Sequence, residues 1–320
     1  MVAGASGAHV VAFEPQTPLR SVINLAARLN QISDRIRVLP FAALDKFRKI
    51  AMSNYQEGDG GVGFLDYSTQ ESVIKTQTIR VDSIPSFNRL FDTNSNKLLS
   101  LRTPNDFGQD YAAALEKNNK EPNGTMLDKT LAFKQPIHFL KIDVEGFELP
   151  ALESASGLYE AGLVEHTVLE FGPPSRWDVT IEDGETMSLA EKRAVTLAQA
   201  KKILLRAVQE WNLDIYLLPA IGWEATVNWM VQHGVDYRNG GVGDNRAVYR
   251  LKAWDFDGKG LEGDEFEAEL EAKDQVVTEF IPLPEHLIEP YLESLESIGE
   301  MYLWFVKKDN KLPIMTTTEL

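Results

Sequence analysis

The sequence contains no cysteine, which excludes disulfide frameworks, thiolate metal sites and cysteine nucleophiles. It is also short of positive charge. Thirty-two Lys and Arg stand against 48 Asp and Glu, a formal net charge of -16. A field of that sign repels polyphosphate backbones and argues against a nucleic-acid partner. Long apolar runs are missing too: none approaches the ~20 residues of a membrane span. A soluble chain without membrane contact is expected, cytoplasmic by default. The opening "MVAGASGAHVVAFEP" has no basic segment and no long apolar core, so it is not a signal peptide. The histidines, His9, His138, His166, His233 and His286, are scattered without metal-ligand spacing, and no metal site is expected.

What is present reads as alternating strands and helices. The 320 residues, 43% of them hydrophobic, suffice for one large α/β domain with insertions or two smaller domains. "AHVVAFEP" is a β-branched run closed by an acid and a proline, the pattern of a buried strand reaching its edge. Residues 18–30 carry Leu19, Val22, Ile23, Ala26 and Leu29 at helical spacing, with Thr17 as N-cap before Pro18. "RIRVLPFAAL" follows as the next strand, which completes a βαβ unit and predicts a parallel sheet. "GDGGVGFLDYS" and "SVIKTQTIRVDSI" suggest an antiparallel hairpin. Residues 92–134, long and polar, suggest a surface insertion.

The parallel pattern resumes at "IHFLKID", followed by a helix near Pro150 with Leu149, Leu152 and Leu158 apolar. Further strands are expected at "EHTVLEF", "LDIYLLP" and "EMYLWFVKK", with helices over residues 188–211 and 286–298. The acidic stretch "DFDGKGLEGDEF" resembles a calcium loop but has Lys259 at its fifth position and Phe266 at its twelfth, so it reads as a solvated loop.

Acids collect where strands end. Glu14, Asp143 and Glu170 each close a predicted strand, and in an open parallel sheet ligands bind outside the carboxyl ends of the strands. A carboxylate such as Glu14 suits the two hydroxyls of a ribose, because both its oxygens are acceptors. It equally suits the dipole of the helix that follows. Asp143, Glu145 and Glu148 in "KIDVEGFE" could hold a hard metal, hold a cationic cofactor group and orient an acceptor, or favour a helix N-terminus. Asp143, last on its strand, is the strongest candidate.

In content, order and spacing, "GAHVVAFEP", "IRVLPFAAL", "FLKIDVEGFELPALESA" and "VLEF" resemble the FkbM-type methyltransferases. The resemblance covers residues 8–174, interrupted by the insertion at 92–134, and "KIDVEG-x-E" is its most diagnostic piece. It implies an α/β fold: the Rossmann-like, doubly wound, mostly parallel sheet of class I methyltransferases. S-adenosylmethionine would be the methyl donor, and the acceptor a hydroxyl on a small or medium-sized molecule or a glycan.

Within that resemblance Glu14 would bind the cofactor ribose and Phe41 and Ala42 would lie near the adenine. Asp143 would face the methionine end and the acceptor, with Asp143 and then Glu145 as catalytic acids. The family's first strand and glycine-rich loop should precede "GAHVVAFEP", yet the sequence begins only a few residues earlier. An N-terminally truncated chain is therefore expected in preference to one that has lost its cofactor loop. An upstream anchor would place it in a secretory or Golgi lumen, the only setting where the sequon at Asn123 matters.

Domain boundaries are expected as a methyltransferase core over 1–218, an acidic extension over 219–299, and a last core strand with tail over 300–320. Two other readings remain: a degenerate, non-catalytic domain, and a nicotinamide-dependent oxidoreductase, whose ribose an acid after strand two would also suit.

Overall fold

A computed structural model describes residues 1–46, 49–54, 63–64, 73–84, 90–91, 134–181, 186–235 and 280–308. The segments 92–133 and 255–274, the sequon at Asn123 and most of the glycine-rich stretch after His233 lie outside the described residues. The chain divides into two compact units. The first comprises Met1–Ile137, Ile142–Val164 and Arg176–Ser188; the second comprises His138–Lys141, Glu165–Ser175 and Leu189–Leu320.

The first unit begins with a short helix, α1 (Val2–Ala5), then β1 (Val10–Phe13), α2 (Thr17–Leu29) and β2 (Ile36–Leu39). β1 and β2 pair in parallel, Val10 opposite Ile36 through Phe13 opposite Leu39, as the βαβ pattern requires. Ala27, Ile32, Ile36 and Val38 form the core between helix and strands, with Val10, Ala12 and Ile23 packed against it. Gln16 occupies the N-cap position of α2 without a side-chain capping bond, and Thr17 lies inside the helix, one residue from the expected start.

"RIRVLPFAAL" is not one strand. Pro40, which has no N–H to give a ladder, separates β2 from β3 (Phe41–Ala43), and β3 joins another sheet. That sheet has the order β3-β6-β4-β5, with β4 at Lys49–Asn54, β5 at Gly63–Phe64 and β6 at Val73–Ile79. β6 runs parallel to β3 and antiparallel to β4, which also pairs antiparallel with β5. The expected antiparallel geometry is present, but β4 stands between the two segments that the sequence predicts to pair directly. "KIAMSN" is too poor in branched and aromatic residues to announce a strand.

The second unit is built on a five-stranded sheet of order β10-β9-β11-β8-β7. Its strands are β7 (Ile137–Ile142), β8 (Val164–Phe171), β9 (Leu213–Leu218), β10 (Ile281–Pro282) and β11 (Met301–Lys307). β11 is antiparallel to both neighbours, so β8 and β9 run in the same direction on either side of it. Strict alternation explains the packing: Leu169, Phe171, Ile215, Leu217, Met301, Leu303 and Phe305 are buried. Their neighbours Val168, Tyr216 and Leu218 are only partly so, packing against Phe280, Trp304 and Val306.

Among the described residues the helices of this unit are α5 (Leu189–Gln209), α6 (Trp223–Gln232) and α7 (Ile288–Ile298); α3 (Glu148–Ser154) and α4 (Ser156–Glu160) belong to the first. α7 buries Ile288, Tyr291, Leu292, Leu295 and Ile298, the 3–4 spacing of a core-facing stripe. In α5 the buried side is Thr196, Ala200, Ile203, Leu204 and Ala207, while Leu189, expected on it, is exposed at the first turn.

β7 also departs from expectation. It ends the sheet, and His138, Phe139 and Lys141 are exposed where its apolar run predicts a buried strand. Among the described residues no strand pairs with its outer edge, and none of their helices is long and apolar enough to cross a membrane.

Candidate active site

Glu14 stands where the sequence places it, at the carboxyl end of β1, still tied to β2 by its N–H to the Leu39 carbonyl at 3.0 Å. Its carboxylate is oriented locally: Oε1 accepts the Gln16 N–H at 2.7 Å. Arg20, buried on the first turns of α2, donates to the carbonyls of Glu14 (3.0 Å) and Pro15 (2.5 Å) and to Thr17 Oγ1 (2.8 Å). Burial raises the Glu14 pKa above its ordinary value, against the opposing pull of the Gln16 amide and Arg20.

A carboxylate offers about four lone-pair positions. One committed to a backbone amide leaves acceptors for a pair of hydroxyls. These free acceptor positions therefore suit a vicinal diol such as that of the ribose of an adenosyl cofactor.

Phe41 and Ala42 form β3 itself instead of the loop after a strand. The Phe41 side chain is 1% exposed and belongs to the core, while Ala42 is half-buried. β3 touches both β1 and α3. Any adenine contact at this position therefore falls to Ala42 and the backbone, since the Phe41 ring is enclosed.

The turn joining β7 to α3 holds the three acids in three different environments. Asp143, the first residue beyond β7, is exposed. Glu145 adopts φ 44°, a left-handed conformation unusual for a residue with a side chain, and its carboxylate pairs with the Arg176 guanidinium. Gly146 follows at φ 89°, and a Cβ there would meet the Arg176 carbonyl oxygen at 2.5 Å, so only glycine fits.

Glu148, first residue of α3, is wholly buried, and its Oε1 accepts the Gly146 N–H at 2.8 Å. Its place at a helix start is as the sequence suggests. Its work is nevertheless inside the fold, holding the turn that precedes it. Leu149, Leu152 and Leu158 are buried behind it.

Two features carry no signal in the sequence. Arg176 lies in a 3₁₀ turn, Pro174–Thr180, anchored by fully buried Trp177 and closed by Thr180 Oγ1 donating to the Trp177 carbonyl at 2.7 Å. "GPPSRWD" has no periodicity that would have flagged it. The second is a brace behind α3. Arg80 binds both oxygens of buried Asp82 (2.9 and 2.5 Å) and reaches the Glu153 carbonyl and Ser156 Oγ. Asp82 also accepts the Gly157 N–H at 3.1 Å.

The remaining candidates lie outside this turn in the chain. Glu170 lies in the second unit on β8, opposite Tyr302. His138 and His166 sit near the amino ends of β7 and β8, as expected, with their rings 5.4 Å apart. Burial and the nearby His138 lower the pKa of His166. His233 ends α6, stacked on Trp229 at 3.7 Å with Nδ1 on the Trp229 carbonyl, and so serves as a helix stop.

A family model described as "Methyltransferase FkbM domain" matches residues 1–189 of the 320. That span contains Glu14, Phe41, Ala42, Asp143, Glu145, Glu148 and Arg176. No curated protein and no solved structure matches the chain.

Proposed function

The chain belongs to the FkbM methyltransferase domain family, and from that membership we propose that it is an S-adenosylmethionine-dependent O-methyltransferase. Its acceptor is a hydroxyl on a small or medium-sized, sugar-like or natural-product-like molecule. The observation that supports this best is Glu14: a half-buried carboxylate fixed by the Gln16 amide at the carboxyl end of β1. It holds the ribose hydroxyls, with Ala42 beside the adenine.

S-adenosylmethionine supplies, when bound, a methyl group activated on a sulfonium. What the protein adds is alignment, exclusion of water and a destination for the acceptor's proton. Asp143 is the carboxylate base for that proton, and Glu145 is the second choice in the same turn. The hydroxyl proton that the acceptor loses on methylation would pass to the Asp143 carboxylate.

The domain is expected to prefer S-adenosylhomocysteine over NAD in calorimetric titration. Once an acceptor is in hand, Asp143→Asn should lower turnover more than cofactor affinity. Preferential NAD binding would replace this reading with a nicotinamide enzyme. Unchanged turnover in Asp143→Asn would make Asp143 structural.

A further inference from the structure

The turn after β7 carries more constraint than its three acids explain. Two successive residues, Glu145 at φ 44° and Gly146 at φ 89°, take left-handed backbone. A left-handed residue with a side chain costs on the order of 1–3 kcal/mol, and it persists only where surrounding groups impose it. The groups that impose it are on either side. From within, Glu148 takes the Gly146 N–H at 2.8 Å. From without, Arg176 touches the turn twice: its guanidinium on the Glu145 carboxylate and its carbonyl against the face of Gly146.

Arg176 can bear this load because its own backbone is fixed. Trp177 beside it has no exposure, and Val179 Cγ2 would lie 3.3 Å from a Cβ on Gly146. The two clamps leave Asp143, at the head of the turn, exposed.

Resting on the methyl-transfer reading above, we propose that Arg176 and Glu145 form a latch that positions Asp143. The two acids are then not interchangeable. Asp143 is the group that meets both the methionine end of the cofactor and the acceptor, and Glu145, held by a guanidinium, acts through the turn. Arg176 is a positioning residue, and the length of chain between it and Glu145 explains why neither motif nor spacing marks it.

The latch is tested on the full chain with Arg176→Gln, Glu145→Gln and the double variant. Hydrogen exchange is followed over residues 143–148, and S-adenosylhomocysteine affinity is measured by titration calorimetry. Each single variant is expected to speed exchange of the turn by about tenfold and to weaken S-adenosylhomocysteine several-fold. The double variant should be no worse than either single, the signature of two residues acting as one unit.

Unchanged exchange in both singles overturns the latch whatever happens to affinity, and so do additive effects in the double variant. Faster exchange with unaltered affinity reduces the pair to scaffolding and overturns the positioning role. If the native chain takes no S-adenosylhomocysteine, the methyl-transfer reading falls, and the exchange cycle alone decides whether the latch exists.

Discussion

Glu14 shows how a single side chain can be placed by sequence and tuned by structure. Its position at a strand end was legible because strand, acid and proline are consecutive, and such local order survives folding unchanged. The Arg20 contacts and the Gln16 clamp were less so, since they depend on how the turn into α2 closes. Burial raises its pKa, so the folded state holds the proton more tightly than an unfolded chain does. This group's contribution to folding is therefore complete below the unfolded pKa and is lost as pH rises through the folded one.

Cofactor binding has the opposite sign, because a ribose diol needs the carboxylate as acceptor. S-adenosylhomocysteine affinity is expected to fall as pH drops through the raised Glu14 pKa, above the ordinary glutamate range. A Glu14→Gln variant should give a flat profile. An equally steep profile in that variant would assign the titration to another group. Glu145 and Glu148 teach the complementary lesson. Both are acids in one motif, yet one meets an arginine 31 residues away and the other is wholly buried.

Among the elements, those set by local periodicity emerge as the sequence predicts: α2, α7, β8, β9 and β11 lie within a few residues of their expected places. Failures trace to tertiary choices. Pro40 divides one apolar run between two sheets, and β4 forms from residues with little strand preference because β6 offers it a partner. The junction of α3 and α4 depends on such a distant partner too. Asp82 and Arg80 reach it from more than 70 residues upstream, with Asp82 only 4% exposed.

Removing one member of a buried pair leaves the other charge without compensation. Asp82→Ala is expected to destabilise the first unit by about 3 kcal/mol, read from urea unfolding. A loss below about 1 kcal/mol, the range of exposed pairs, would show that the brace is solvated.

For the molecule as a whole, composition excluded more than it identified. The absence of cysteine removes thiol chemistry, a net charge of -16 only argues against a polyphosphate partner, and family membership over residues 1–189 supplies the positive identification. The two compact units were not legible, because they arise from contacts between residues far apart in the chain. The expected boundaries at 218 and 299 both fall inside the second unit. The central claim concerns the first unit: Glu14 serves an adenosyl cofactor. Its most direct test is calorimetric titration of S-adenosylhomocysteine into the native chain and into Glu14→Ala. Saturable binding is predicted for the native chain, weakened more than about tenfold, some 1.4 kcal/mol, in the variant. Equal affinity in the two proteins would contradict the assignment of Glu14 to the ribose.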